Sequence, residues 1–149
     1  MGNLDVNLGL ISGSLIMSVT ALGAGIGVNI VGQATIGAWK KCFQNNKSAP
    51  MVMLAFTGNL LSQVLYAFIL MGRVMEAAEA NPERALVYLS FSIAAAVSLF
   101  ASEIVQGKVG ACAVVAIAEA RKGFAQYIAV IGVAETVALF TMVFTVASL

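Results

Sequence analysis

The sequence contains no histidine and is poor in charged residues along its whole length. Eight Lys or Arg and seven Asp or Glu residues make up 10% of its 149 positions, whereas soluble domains carry about 25% charged residues. Hydrophobic residues account for 60% of the chain, and the mean hydropathy is +0.96. This composition excludes an ordinary soluble domain and predicts an integral membrane protein.

The chain also lacks a phosphate-binding glycine loop of the P-loop type and a basic stripe that could bind nucleic acid. If the protein serves an ATP-driven process, the nucleotide therefore binds to another chain. We expect no catalytic residue and no bound cofactor on this one. Cys42 and Cys112 have no spacing typical of a metal site or a disulfide framework, so we interpret both as structural.

The N-terminus carries Asp5 and no basic residue, so it lacks the positive region of a cleavable signal peptide. Val6 breaks the pattern for N-myristoylation. We therefore expect the whole chain to be mature protein.

Four apolar segments are long enough to cross a bilayer, which takes about 20 residues per helix. They cover residues 6–38, 51–75, 86–118 and 124–149. The sequence thus predicts one all-α membrane domain over residues 1–149. The first segment, at about 1.5 Å per residue, is roughly 50 Å long and should project from a hydrocarbon core of about 30 Å.

The four segments form two related halves, a first hairpin over residues 6–76 and a second over residues 86–149. A shift of 74 residues, or of 78 for the first and third segments, matches Gly58 with Gly132, Tyr66 with Phe140 and Gly32 with Gly110. Under this alignment Glu135 falls opposite Leu61. We therefore predict a duplicated hairpin in which only the second copy carries a carboxylate.

The first and third segments are rich in small residues, including Gly23, Gly27 and Gly110. Small residues allow helix backbones to approach closely in a membrane. Ordinary packing within one four-helix bundle would use some of them. Because they recur over most of both segments, we predict further packing against identical copies, as in the inner layer of a ring.

Basic residues are unevenly distributed between the connections. The first connection carries Lys40, Lys41 and Lys47, the second Arg73 and Arg84, and the third Arg121 and Lys122. The positive-inside rule then favours the first and third connections on the cytoplasmic side and both termini outside.

A stripe of polar residues runs along the second segment: Asn59, Ser62, Gln63 and Tyr66. Their i, i+3, i+4, i+7 spacing puts them on one helix face at membrane depth. Each alone could be an interhelical hydrogen-bond partner, worth about 0.6 kcal/mol on average. Four on one face favour a binding site.

Gln106 and Glu135 lie at similar distances from the turn near Arg121, 15 residues before it and 14 after it. In antiparallel helices they would therefore occupy the same membrane layer. Ser62 lies 17 residues beyond a turn centred near Asn45, at a comparable depth. The sequence does not show whether these side chains meet.

A charged side chain at the bilayer centre costs about 3 kcal/mol even on the most lenient scale, so Glu135 marks a pathway for an ion or substrate by default. A carboxylate with amide and hydroxyl oxygens suits a hard cation, and a monovalent ion would leave the loaded site neutral. Sodium is favoured over a proton because protonation needs no additional oxygens. The candidate site comprises Glu135 as the charge partner, Gln106, Gln63 and Ser62 as neutral oxygens, Tyr66 as a ligand or hydrogen-bond donor, and Asn59 through its side chain or backbone carbonyl.

Two further charges lie in the third segment. Glu103 and Lys108 are five residues apart and are therefore poor partners for each other on a helix. Lys108 could contact a neighbouring chain or extend towards the interface. Glu103 could extend the site, but we expect it to face a watery lumen or to pair across subunits.

The short motifs together resemble those of a known family. Two glycine-rich hairpins, QGKVG in the third segment, VAETVALF around Glu135 and SQVLY in the second segment are similar to the proteolipid, or K, subunit of bacterial V-type rotary ATPases. The similarity covers essentially the whole chain. More narrowly, the chain resembles the sodium-translocating branch of this family. Three positions depart from the family pattern: Ser62 replaces a common threonine, Asn59 an apolar residue, and Glu103 a small one.

The resemblance implies a rotor ring of identical four-helix subunits in the cell membrane, with the first and third helices inside. Sodium would be held at Glu135 with Gln106, Gln63, the Ser62 hydroxyl and Tyr66. A stator subunit would present an arginine to each carboxylate and promote ion exchange through two half-channels. The two hairpin loops would face the central stalk on the cytoplasmic side.

Two other functions compete with this interpretation. A small multidrug antiporter also uses four helices and a buried glutamate, but it should surround that glutamate with aromatic residues. Here the nearest aromatic candidates are Phe140 and Tyr66. A structural membrane protein would use Glu135 only for a hydrogen bond, which does not account for the polar stripe.

Overall fold

The computed structural model describes the backbone of residues 2–149 and the side chains from residue 8 onward. The described chain is all-helical, with no strand. The elements are α1 (Gly2–Gln44), a 3-10 turn (Met51–Met53), α2 (Leu54–Gly58), α3 (Leu61–Ala80), a 3-10 turn (Pro82–Arg84), α4 (Ala85–Ala120) and α5 (Phe124–Ser148).

Four helical stretches are long and apolar enough to cross a membrane: Leu8–Gln44, Met51–Ala80, Pro82–Ala120 and Phe124–Ser148. They coincide with the four segments expected from the sequence. The prediction of an all-α chain with four helices compatible with membrane spans is therefore confirmed.

The first connection is shorter than expected. Helix α1 continues to Gln44, six residues beyond the predicted end, and so includes Lys40 and Lys41. The helix continues because no glycine or proline interrupts residues 38–44, and it ends where Asn46 adopts a left-handed backbone with φ 52°. Two of the three lysines assigned to a loop therefore lie on the last turns of a helix.

The second predicted helix, over residues 51–75, is one helical span from Met51 to Ala80, and its hydrogen bonding changes locally at Asn59 and Leu60, which keep right-handed helical backbone angles. Helix α2 ends at Gly58 and α3 begins at Leu61. In between, the Ser62 N–H donates to the Asn59 carbonyl at 3.3 Å, a tighter i→i−3 bond. The Ser62 hydroxyl donates to the same carbonyl at 2.7 Å and so competes with the regular helical bonds. This local change lies within the polar stripe.

Helices α1 and α4 run parallel and touch through their backbones. A Cβ on Gly107 would lie 2.6 Å from the Gly27 Cα, and one on Gly27 would lie 2.6 Å from the Glu103 carbonyl oxygen. Any side chain at either position would therefore push the helices apart. Helix α3 packs on α1 and α5 packs on α4, so α1 and α4 form one layer and α3 and α5 the other.

The interior has two apolar clusters separated by a polar layer. One cluster includes Ile16, Leu70, Tyr88, Leu99 and Ala138, and the other includes Val31, Phe56, Leu60, Val114 and Ile131. On every helix the residues between the two clusters include a polar one. This layer contains Thr20, Asn59, Gln63, Ser102, Glu103, Gln106 and Glu135.

Candidate ion-binding site

The carboxylate of Glu135 lies on α5 and faces the polar stripe of the second span. The Tyr66 hydroxyl donates to Glu135 Oε1 at 2.9 Å, and the Asn59 amide donates to Glu135 Oε2 at 3.3 Å. Both carboxylate oxygens are therefore held by neutral donors. The side chain is partly exposed on the layer formed by α3 and α5.

Gln106 reaches the same point from α4. Its Oε1 accepts a 3.4 Å hydrogen bond from the Asn59 amide nitrogen, which also donates to Glu135. Gln106 and Glu135, which the sequence placed at the same depth, thus both accept a hydrogen bond from the Asn59 amide. The short α4–α5 turn makes this possible, since Arg121 (φ 57°) and Gly123 (φ 93°) reverse the chain within three residues.

Ser62 contributes to the site indirectly. Its hydroxyl is committed as a donor to the Asn59 carbonyl one turn back, at 2.7 Å. The hydroxyl oxygen still carries lone pairs that a cation could use. The bond also fixes the backbone at this point, which sets the position of the Asn59 side chain.

Gln63 lies deeper than the other members of the stripe. It is fully buried, and its Nε2 donates to the Ser102 hydroxyl at 3.0 Å. Among the described side chains no hydrogen bond joins it to Glu135. Ser102 was missed by the sequence reasoning, although it lies one helical turn before Gln106 and so shares its face.

Several atoms of the polar layer are buried without a hydrogen-bond partner. They are Thr20 Oγ1, Gln63 Oε1, both carboxylate oxygens of Glu103 and Gln106 Nε2. Buried polar groups are normally paired, so such a concentration requires an explanation. The carbonyl oxygen of Gln63 in particular is free to act as a ligand.

Glu103 lies inside the subunit, with 0% of its surface exposed. The expectation that it faces a watery lumen or pairs across subunits is therefore wrong. The α1–α4 backbone contact at Gly27 covers it. Lys108, five residues further along α4, is exposed and could still contact a neighbouring chain.

The site contains only oxygen and amide ligands. Within residues 8–149, no cluster of His, Cys, Asp or Glu could hold a transition metal, and the one ion pair joins Arg73 and Glu76 at the far end of α3. No protein cation therefore neutralises Glu135 within the described chain. Carboxylate, amide and hydroxyl oxygens are the ligands that a hard cation prefers.

Among the described aromatic side chains, only Tyr66 hydrogen-bonds to Glu135. Phe140 is 54% exposed and stacks on Phe144, with ring centroids 5.8 Å apart. The carboxylate therefore lies beside hydrogen-bonding groups rather than in an aromatic pocket.

No protein-family model matches this sequence, and no curated protein matches it either.

Proposed function

We propose that the chain is a subunit of a membrane rotor ring and carries one sodium ion at Glu135. The observation that carries this proposal is the geometry around that carboxylate. Tyr66 and Asn59 hold its two oxygens, and the Gln106 oxygen shares the same donor. The resemblance of QGKVG, VAETVALF and SQVLY to the rotor proteolipids points to the same role.

Charge balance supports a monovalent cation. An ionised carboxylate within a membrane span is costly unless it is neutralised, and no Lys or Arg of residues 8–149 forms an ion pair with Glu135. One monovalent ion leaves the loaded site neutral. Sodium is preferred to a proton because the same polar layer supplies further neutral oxygens, from Gln106, Ser62 and Gln63, whereas a bound proton needs at most one acceptor.

The ligands follow from the contacts. Glu135 Oε2 and Gln106 Oε1 are the first two candidate oxygens, since both accept a hydrogen bond from the Asn59 amide nitrogen. The Ser62 hydroxyl and the unpaired oxygen of Gln63 are the further candidates. Tyr66 holds the carboxylate in place through its 2.9 Å bond.

Asn59 competes with the ion for the same two oxygens. Its amide hydrogens and a cation cannot both lie between Glu135 Oε2 and Gln106 Oε1. When sodium binds, the Asn59 side chain must therefore turn away or present its own oxygen. In the unloaded site the amide would partly neutralise the carboxylate, which eases its passage near lipid.

The distribution of glycines supports assembly of identical copies. Gly23, Gly27 and Gly110 make close contacts inside the chain, whereas an added Cβ at Gly25, Gly32 or Gly37 would meet nothing within 4 Å. These last three therefore have no packing role within one subunit. Gly25 and Gly32, seven residues apart, share one face of α1 and leave room for a second copy to pack closely there.

In the ring, α1 and α4 would form the inner layer and α3 and α5 the outer one. Glu135, partly exposed on the outer layer, would then be accessible to a stator subunit whose arginine displaces the ion. The loops that contain Lys47 and Arg121 would face the central stalk on the cytoplasmic side, and both termini would lie outside. Moving one charge across 100 mV takes about 2.3 kcal/mol, so the site must bind sodium firmly and still release it to a competing cation.

A four-helix multidrug antiporter is the second candidate. It would place aromatic side chains around the glutamate to hold a lipophilic cation. Among the described aromatic side chains only Tyr66 hydrogen-bonds to Glu135, and it does so through its hydroxyl. The geometry therefore favours the rotor subunit.

The test is labelling of Glu135 by dicyclohexylcarbodiimide in detergent-solubilised protein, mapped by mass spectrometry. We expect sodium to slow the labelling at constant pH, whereas N-methylglucamine at the same ionic strength should not. The Glu135→Gln variant lacks the reactive carboxylate and therefore measures the background labelling. Labelling that responds to pH but is indifferent to sodium would replace sodium by a proton as the coupling ion.

A further inference from the structure

We propose that the chain binds the phosphate group of an anionic phospholipid in a basic cavity between the first connection and the α4–α5 turn. The cavity has a volume of about 140 Å³, and the charged side chains that line it are Lys41, Lys47, Glu119 and Arg121. None of these four charges forms an ion pair within residues 8–149. The cavity lies apart from the Glu135 site, so the proposal is independent of the proposed function.

Arg121 reaches the cavity from the α4–α5 turn and is held in place. Its Nη1 donates to the Ser48 carbonyl at 2.7 Å, and its Nη2 donates to the Sγ of the buried Cys42 at 3.3 Å. A guanidinium group has five N–H donors, so further donors remain for a phosphate oxygen. The guanidinium is therefore positioned beside the first connection before a ligand arrives.

Lys41 and Lys47 line the cavity from the end of α1. The left-handed backbone of Asn46 reverses the chain, and the Lys47 N–H donates to the Cys42 carbonyl at 2.9 Å. The Asn45 side-chain amide donates to the Lys41 carbonyl at 2.8 Å. These bonds bring Lys47 back beside the last turn of α1, so that both lysines line the same cavity.

The charge balance of the cavity favours a singly charged anion. Three cations and one carboxylate leave two positive charges. Helices α1 and α4 both end here, and each C-terminus contributes about half a negative charge. The remaining surplus of about one positive charge matches one phosphodiester, whereas a zwitterionic headgroup would bring another cation into the cavity.

The cavity also lies at the height of lipid phosphates. Gln106 belongs to the polar layer near the middle of the spans and lies 15 residues before Arg121, so α4 rises about 22 Å between them. Half the thickness of a bilayer with its headgroups is about 20–22 Å. Basic pockets between membrane helices at this height are typical binding sites for anionic headgroups.

An apolar groove of about 250 Å³ continues from the cavity between α1 and α4. It shares Lys41, Ala118 and Glu119 with the cavity, and Gly37 and Val115 line it as well. Gly37 lies one turn from Lys41 towards the polar layer, so an acyl chain of a lipid bound in the cavity can follow the groove into the membrane. A phospholipid accounts for both features, whereas a soluble phosphate accounts only for the basic cavity.

Native mass spectrometry of the delipidated full chain in detergent, titrated with phosphatidylglycerol or phosphatidylcholine, tests the proposal. We expect saturable binding of about one phosphatidylglycerol per chain and weaker binding of phosphatidylcholine. The double variant Lys41→Gln, Lys47→Gln should bind phosphatidylglycerol about 30-fold more weakly, from about fivefold per lysine.

The matched control is the double variant Lys40→Gln, Lys122→Gln. It removes the same charge from exposed positions of the same region that do not line the cavity, and it should bind phosphatidylglycerol like the wild type. Gly37→Leu tests the groove without a change of charge. An added Cβ at Gly37 meets nothing within 4 Å, so leucine should leave the fold intact, fill the groove and weaken phosphatidylglycerol binding.

Four results would overturn the proposal. Equal binding of the two lipids, or an equal loss in both lysine double variants, would reduce the effect to general surface charge. Unchanged binding in Gly37→Leu would place the lipid elsewhere. In lipid-free detergent, equilibrium dialysis that shows one radioactive inorganic phosphate per chain, lost in Lys41→Gln, Lys47→Gln, would replace the lipid by soluble phosphate. Failure of both lipid and phosphate to bind would leave the cavity to an acidic protein segment. The comparison of the two lipids on the wild type needs no variant and decides even if a substitution prevents folding.

Discussion

The Tyr66 hydroxyl donates a 2.9 Å hydrogen bond to Glu135 Oε1, joining two residues that are 69 positions apart in the sequence. The bond links α3 to α5 and orients the carboxylate towards Gln106. Hydrogen bonds to charged groups contribute about 1.5–3 kcal/mol.

Replacement of Tyr66 tests how much the orientation of the Glu135 carboxylate contributes to sodium binding. We expect Tyr66→Phe to weaken sodium binding by about 10-fold or more, since the ring remains and only the donor is lost. Equilibrium sodium binding measures the effect. Tyr127→Phe, on α5 and outside the polar layer, is the control. Unchanged affinity in Tyr66→Phe would remove Tyr66 from the site.

Glu135→Gln should abolish sodium-coupled transport and leave the fold and the assembly intact, because glutamine keeps the size and removes the charge. Sodium uptake by reconstituted complexes and the mass of the detergent-solubilised assembly are the two measurements. Residual sodium transport in this variant would show that the coupling carboxylate lies elsewhere.

Asn59→Leu should strengthen sodium binding. The amide nitrogen of Asn59 lies between Glu135 Oε2 and Gln106 Oε1 and competes with a cation for both. Without it the unloaded site is less well neutralised, so the loaded state gains relative stability. Sodium binding is again the measurement. A weaker affinity would instead make Asn59 a ligand through its own oxygen.

The two glutamines should differ in their effects. Gln106→Ala should weaken sodium binding strongly, because Gln106 Oε1 shares a donor with Glu135. Gln63→Ala should weaken it less, since Gln63 Nε2 is bound to Ser102 and only its Oε1 is available. Both changes should affect sodium binding more than proton handling, which proton-dependent labelling of Glu135 measures. An equal response to sodium and protons would argue against sodium ligands at both positions.

Substitutions at two glycines of α1 should distinguish an effect on folding from an effect on assembly. Gly27→Leu should destabilise the subunit by about 1–3 kcal/mol or more, because the new side chain would meet the Glu103 backbone and Leu60. Gly25→Leu has open space and should leave the subunit folded while preventing close packing of a second copy. Thermal unfolding and the mass of the assembly distinguish the two. A Gly25→Leu variant that assembles normally would move the subunit interface away from this face of α1.

Much of the architecture could be predicted from composition and periodicity. Four apolar segments of sufficient length require four helices, since a bilayer leaves no other way to satisfy the backbone. The shared depth of Gln106 and Glu135 followed from counting residues on either side of a short turn. The local change of hydrogen bonding at Asn59 and Leu60 could not be predicted, because it depends on where the Ser62 N–H and hydroxyl donate.

Glu103 shows most clearly what the sequence alone could not predict. Its sequence neighbours are compatible with a lumen, a subunit interface or an interior position, because helical periodicity does not show which face of a helix meets which neighbour. In the structure Glu103 is fully buried, and its backbone carbonyl lies against Gly27 of α1.

By itself, the sequence determined that this is a four-helix membrane protein with one carboxylate at the middle of its last span and polar oxygens at the same depth. These features can be read from the chain itself, because they depend only on the lengths of its hydrophobic segments and on the positions of its charged residues. Only the tertiary structure decided which oxygens meet Glu135, that Gln63 turns to Ser102 and that Asn59 bridges Gln106 and Glu135. These contacts depend on the rotation of each helix about its own axis, and that rotation is set by glycine-mediated packing between residues far apart in the chain.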